Sequence, residues 1–157
     1  MDSKGFSLIE LLIAVAILAV AASIAVPAYQ GYLETSRRAG AKAGLNDLAL
    51  WLERFYTING RYDQTRGGTT VAAQVVSENP GLLCSPKPKS GGACNAKTEP
   101  FYYHFTISAT ATGYTIKAAP VSGTSQAADP CGTLVLTSTG RKSLEGAAKG
   151  AKVSQCW

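Results

Sequence analysis

Four cysteines, a lone histidine and one carboxylate on an apolar run are the residues of this chain that invite a chemical reading. Cys84, Cys94, Cys131 and Cys156 all lie in the C-terminal half. Thiols at suitable spacing bind zinc, but no C-x-x-C pair occurs, and His104 stands far from any zinc-ligand spacing. An even cysteine count in a small exported domain points instead to two disulfides. Three pairings satisfy that count. The sequential one, Cys84–Cys94 and Cys131–Cys156, closes two local loops and is the expected one. His104 has no Cys, Ser or Asp arranged around it in sequence and reads as a strand-face residue rather than a catalyst. No G-x-S-x-G, P-loop or H-E-x-x-H is present, so neither an enzyme nor a cofactor or metal site is expected.

The carboxylate is Glu10. It follows Phe6-Ser7-Leu8-Ile9 and precedes residues 11–22, which carry no polar side chain. Ser23 interrupts the run, and Ile24-Ala25-Val26-Pro27 continue it. Residues 6–28 have the length of about 20 residues that crosses a bilayer's hydrocarbon core as a helix. Tyr29, Gln30, Gly31 and Tyr32 follow, which is not the small-residue cleavage site of a secretory signal. Lys4 in the short preceding tail favours an N-terminus left in the cytoplasm. A carboxylate at the bilayer centre costs roughly 2.5–3.5 kcal/mol on insertion scales, and less near a helix end. An ionisable group in such a segment is therefore a functional candidate, and it needs a partner.

Gly5-Phe6-Ser7-Leu8-Ile9-Glu10 followed by the apolar run resembles the processing motif of type IV prepilins and pseudopilins. The resemblance implies that a membrane aspartyl peptidase, the prepilin peptidase, cuts between Gly5 and Phe6 and methylates the new Phe6 terminus. It implies that Glu10 pairs with the N-terminal amine of a neighbouring subunit during assembly. Placing one charge beside its opposite avoids leaving either unpaired in lipid. The chain further resembles minor pilins of the PilE type at Trp51-Leu52-Glu53-Arg54-Phe55-Tyr56, Asn59-Gly60-Arg61-Tyr62, Cys131-Gly132-Thr133-Leu134, Ser138-Thr139-Gly140 and Cys156-Trp157. Between about residues 63 and 99 the resemblance is weak. Many members carry a Gly in the membrane helix ahead of the Pro, where the helix melts on assembly. Here the run from Leu11 to Val26 has none, and Ala19 stands near that place.

The elements that must position these residues follow from periodicity. Beyond Pro27, which should bend or loosen the helix, Leu33, Ala41, Leu45, Leu48, Leu52 and Phe55 mark an apolar helix face. Arg37, Arg38, Lys42, Asp47, Glu53 and Arg54 are expected largely elsewhere. The helix should end near Asn59-Gly60. Ala39, Gly40, Ala41, Ala43 and Gly44 would permit close packing. Residues 61–100 read as irregular, with a short helical or extended piece at 72–76. Strands are expected at 101–107, 114–118 and 133–137, with a hairpin around Thr112-Gly113 and a turn at Ser138-Thr139-Gly140. Residues 153–157 should end on the sheet. Phe101, Tyr102, Tyr103 and Phe105 alternate as packing residues of a strand.

The expected architecture is α+β: a long N-terminal helix, with a membrane half and an amphipathic half, packed on a small antiparallel sheet as a pilin roll. The expected division is a leader at 1–5, a membrane and filament-core helix at 6–28, and a periplasmic or extracellular domain at 29–157 that includes the amphipathic helix 29–58. Phe6, Glu10 and Pro27 are the expected assembly residues. The expected partners are other pilin subunits, the prepilin peptidase, the inner-membrane assembly machinery and, before assembly, the membrane itself.

The formal net charge is +5, with a mild cluster at Arg141, Lys142, Lys149 and Lys152. No dense basic stripe interleaved with aromatics appears, so the cations read first as solvated surface. Lys87 and Lys89 in a Pro-rich loop read the same way. The leading function is a structural minor pilin of a type IV pilus serving motility, adhesion or DNA uptake. A type II secretion pseudopilin and a DNA-receptor pilin for natural transformation are the alternatives, the latter bringing nucleic acid in as a partner.

Overall fold

The computed structural model describes residues 8–157. It contains helix α1 (Leu8–Asn59), helix α2 (Val71–Glu78), a 3-10 turn (Pro80–Leu83), strands β1 (Cys84–Ser85), β2 (Tyr103–Ala109), β3 (Tyr114–Pro120), β4 (Thr133–Thr137) and β5 (Lys142–Glu145), and a final turn of helix, α3 (Val153–Cys156). The chain falls into two compact units, one ending at Thr35 and the other Ser36–Trp157. In the first unit α1 is regular through Pro27. Ser23 Oγ donates to Val20 O at 2.7 Å and Thr35 Oγ1 to Gly31 O at 3.0 Å, so both hydroxyls are satisfied on the helix itself.

In the second unit α1 ends where Gly60 adopts a left-handed φ of 76°. Its N–H donates to Tyr56 O at 2.7 Å, and Asn59 Nδ2 donates to Phe55 O at 2.9 Å. The first of these bonds occupies a carbonyl that the helix end would otherwise leave unpaired. Thr70 caps α2 by accepting from Ala73 N–H.

The five strands form one antiparallel meander in the order β1-β2-β3-β4-β5. Phe105 lies opposite Ala118, Ile116 opposite Leu136, and Leu134 opposite Leu144. Side chains alternate across a strand. Tyr103 and Phe105 of β2, Tyr114, Ile116 and Ala118 of β3, and Leu134 and Leu136 of β4 are accordingly buried. Ala41, Leu45, Leu48, Leu52 and Phe55 of α1 join them in one core. A fully buried Leu or Phe contributes roughly 1.5–3 kcal/mol, so this helix–sheet seam is the main source of the unit's stability. Gly44 makes the close approach possible. A Cβ there would stand 2.5 Å from Phe105 Cε2.

Several sequence expectations change. Arg38 is not on the solvent side of α1 but buried with the apolar face. The short piece expected at 72–76 is helical, the two-turn α2, and the rest of the irregular stretch also holds an unexpected edge strand, β1. Phe101 and Tyr102 precede the strand rather than lying in it. The turn at Ser138–Gly140 leads into a further strand, β5, that has little apolar alternation. Residues 153–157 reach the sheet as a turn of helix, with Trp157 Nε1 donating to Ser143 O at 3.1 Å.

Candidate functional site

Glu10 lies in the first turn of α1 in the described chain and is exposed. The side chains after it, from Leu11 to Val26, are exposed wherever they are large and apolar. An 18-residue window of this helix reaches a mean hydropathy of 2.7. An exposed apolar surface of that length fits lipid or another apolar helix. Ala19 and Pro27 both lie within the unbroken helix. Gly5 and Phe6, the expected processing pair, lie outside the described residues.

The cysteines occur as Cys84–Cys94 and Cys131–Cys156. The first closes the loop after β1, and the second ties the start of β4 to α3. His104 is exposed on β2, with its ring 6.3 Å from that of Phe101. Among the described residues no group of three or more His, Cys, Asp or Glu could hold a metal ion.

A buried polar cluster escaped the sequence reading. Arg38 Nε donates to Asp129 Oδ2 at 3.1 Å and Arg38 Nη2 to Oδ1 at 2.6 Å. Tyr103 OH and Gln126 Nε2 also donate to Asp129, and Cys131 N–H donates to it at 2.9 Å. Burial alone would raise the Asp129 pKa, but these donors outweigh it and hold the carboxylate below its usual range. The Arg38 guanidinium is held above its usual value by its hydrogen bonds to Asp129. Burial raises the Tyr103 hydroxyl, and Asp129 raises it further. The cluster ties α1 to the β3–β4 connection. A second polar anchor is Glu53, which accepts from Tyr62 OH at 2.8 Å and Tyr114 OH at 3.1 Å. Burial, with Glu53 beside it, pushes the Tyr62 hydroxyl up to about 12. No sequence signal found either cluster, because the contacts Arg38–Asp129 and Glu53–Tyr114 join residues remote along the chain.

The second unit carries fourteen Lys and Arg against seven Asp and Glu. Four pairs neutralise one another: Arg38–Asp129, Arg61–Asp63, Lys87–Asp47 and Lys117–Glu145. Glu99 is engaged with backbone, accepting from Lys89 N–H at 2.5 Å and Ser90 N–H at 3.1 Å. Cations are therefore in excess on the surface. In the meander, the β1–β2 loop, the β3–β4 connection and the segment after β5 leave from the same end of the sheet. Ala148 N–H to Pro130 O at 2.8 Å and Val121 N–H to Tyr102 O at 2.9 Å bind these segments together. Lys89, Lys97, Lys149 and Lys152 lie on them and are exposed. Of the mild basic cluster, Arg141 and Lys142 instead belong to the opposite end, and Lys142 Nζ stands 5.1 Å over the Trp157 ring.

Residues 27–135 match the family model described as "Type IV minor pilin ComP, DNA uptake sequence receptor". The chain belongs to this family of type IV minor pilins. Residues 1–26 match the model of the prokaryotic N-terminal methylation motif. The pilin is similar to Fimbrial protein EcpC of Eikenella corrodens, 35% identical over 72 residues, which cover 46% of this chain and 47% of that one. It is similar to Fimbrial protein Q of Moraxella bovis, 56% identical over 34 residues, 22% of each chain. The matches thus span less than half the length of these relatives. A solved type IV pilin from Shewanella oneidensis is 26% identical with a TM-score of 0.42, covering 79% of this chain and 97% of that one. The methylation motif and the apolar N-terminal helix are those of a membrane-anchored precursor of an extracellular pilus.

Proposed function

We propose that this minor pilin is processed between Gly5 and Phe6 by the prepilin peptidase, enters the filament through the inner-membrane assembly machinery, and there receives duplex DNA for uptake. Glu10, pairing with the Phe6 amine of a neighbour, is the assembly residue in this reading, and the exposed apolar surface of α1 is the filament-core contact. The observation that supports the DNA step is the set of four exposed lysines, Lys89, Lys97, Lys149 and Lys152, on loops that share one sheet end where the acids are already engaged. The description of the matched family as a DNA uptake sequence receptor favours the same partner over a purely structural subunit.

Phosphate neutralisation releases counterions, so affinity falls with salt by a log–log slope of about −0.9 per phosphate contacted. Four lysine contacts give a slope of about −3.6. The test is titration of the full chain in detergent micelles with a fluorescent DNA duplex across a salt series. Replacing the four lysines by Ala should weaken binding and flatten the slope by about one unit per contact. Salt-independent binding, or a quadruple variant that binds as the parent does, would leave a purely structural subunit with solvated charges.

A further inference from the structure

Beyond assembly and DNA, the first unit carries a feature aimed at lipid. Tyr29 and Tyr32 follow directly on the apolar run and are 63% and 71% exposed. Three residues apart on a helix, they share one face. Neither hydroxyl has a hydrogen-bond partner among the described residues. On the N-terminal side their neighbours are Ala25 and Val26, and on the C-terminal side the polar sequence begins with Gln30, Glu34, Ser36 and Arg37. The two rings therefore stand at a boundary between apolar and polar helix surface. Within the run the one hydroxyl, Ser23, is satisfied by Val20 O.

The spacing supplies the second argument. Nineteen residue steps separate Glu10 from Tyr29. At about 1.5 Å per residue they span roughly 28 Å, close to the hydrocarbon thickness of about 30 Å. With the tyrosines at one boundary, the Glu10 carboxylate falls within reach of the other, where its cost is lowest. Tyrosine suits such a boundary because its ring is apolar and its hydroxyl seeks a polar partner.

We propose that Tyr29 and Tyr32 dock in the lipid headgroup region at the end of the span remote from Glu10, and so fix the depth of the membrane-held precursor. The lipid surface is the ligand of this face before assembly. The pair thereby holds Glu10 at the opposite boundary, where a neighbour's terminus can reach it.

The test uses the full chain in phosphatidylcholine–phosphatidylglycerol vesicles with bromines at defined depths on the acyl chains. In the variant Tyr32→Trp, quenching in excess of the parent (which has Trp51 and Trp157) should be greatest for bromines nearest the headgroups. In a second variant, Ile24→Trp, the added fluorophore reports depth inside the span. Adding Tyr29→Ala and Tyr32→Ala to it should displace and broaden its depth profile. Excess quenching in Tyr32→Trp that peaks at the bilayer centre, or is absent, overturns the proposal. So does an Ile24→Trp profile that is unchanged by the two alanines, which would leave the rings as contacts between subunits. An Ile24→Trp reporter that is not quenched even with both tyrosines present would overturn the span as well, which separates the two failures.

Discussion

Arg38 and Asp129, ninety-one residues apart, meet in a two-pronged ion pair in which the carboxylate side chain is fully buried. A buried pair of this kind adds little over an apolar substitute, but removing one partner strands the other charge. Arg38→Met should therefore destabilise the domain by about 3–5 kcal/mol, measured by urea unfolding of the full chain in detergent. The double variant Arg38→Met, Asp129→Leu should recover much of that loss. A single variant as stable as the parent would show that Asp129 is satisfied by Tyr103, Gln126 and Cys131 alone.

The same carboxylate gives a pH signature. Its folded pKa is depressed, so the stability it contributes is present above the unfolded value, about 3.9. That stability is lost as pH falls through the folded value. Half-buried Asp63 and Glu99 are shifted in the same direction, so the informative quantity is a difference. The stability gap between the parent and Asp129→Asn should be constant from pH 7 to about 5 and should narrow below about pH 4. A gap that persists unchanged to about pH 2 would contradict the assigned charge state.

Gly44 faces the Phe105 ring so closely that a methyl group would come within 2.5 Å of it. Alanine is the better helix former by about 1 kcal/mol, while overpacking a tight core costs about 1–3 kcal/mol. Phe105 is buried in the core, so Gly44→Ala should be net destabilising, by up to about 2 kcal/mol. In the background of Phe105→Leu the sign should reverse or vanish. Equal effects in both backgrounds would place the cost elsewhere.

These contacts show where sequence reading succeeds and where it stops. The apolar face of α1 repeats at local spacing, so Ala41, Leu45, Leu48, Leu52 and Phe55 are legible, as are the alternating strands β2, β3 and β4. Gly60 marks the helix end through its backbone freedom. Strand β5, Lys-Ser-Leu-Glu, has no such signal because it is a short edge strand, with only Leu144 packed on the core. Arg38 is misplaced by sequence because its charge predicts solvent, and only the fold brings Asp129 to it. Of the lysines that share one sheet end, the pair Lys89 and Lys97 lies far in sequence from the pair Lys149 and Lys152. Their grouping depends on strand order, not on composition.

The Cys131–Cys156 bond spans 25 residues and holds α3 with its adjoining Trp157 against β5. In a chain-entropy view a loop of that size stabilises by about 3 kcal/mol or slightly more. Paired replacement by Ser should lower the melting temperature. It should also release Trp157, seen as a red-shifted component of its emission. The shorter Cys84–Cys94 loop should contribute less. Peptide mapping without reductant that joined Cys84 to Cys131 would overturn both expectations.

In the proposed assembly mechanism Glu10 is the pairing residue, and its prediction separates insertion from filament entry. Replacing a carboxylate on an apolar helix by Val favours the membrane, by up to the roughly 2.5–3.5 kcal/mol that insertion scales assign to a central charge. Glu10→Val should therefore be processed and reach the membrane at least as well as the parent. What it should lose is attraction to the positive terminus of a neighbouring subunit. In a poorly solvated setting that attraction exceeds a surface ion pair, although desolvation offsets part of it. The neighbour's amine would also be left buried without its counter-charge, which raises the cost further. The variant should be abundant in membranes and depleted from sheared filaments, with Glu10→Asp, shorter in reach, falling between. Comparing the two fractions for the three forms decides the matter, with intact mass reporting the cut after Gly5. A Val form that enters filaments as efficiently as the parent would show that Glu10 does not steer assembly. Its carboxylate would then be an interfacial group, tolerated because it lies at the end of the span.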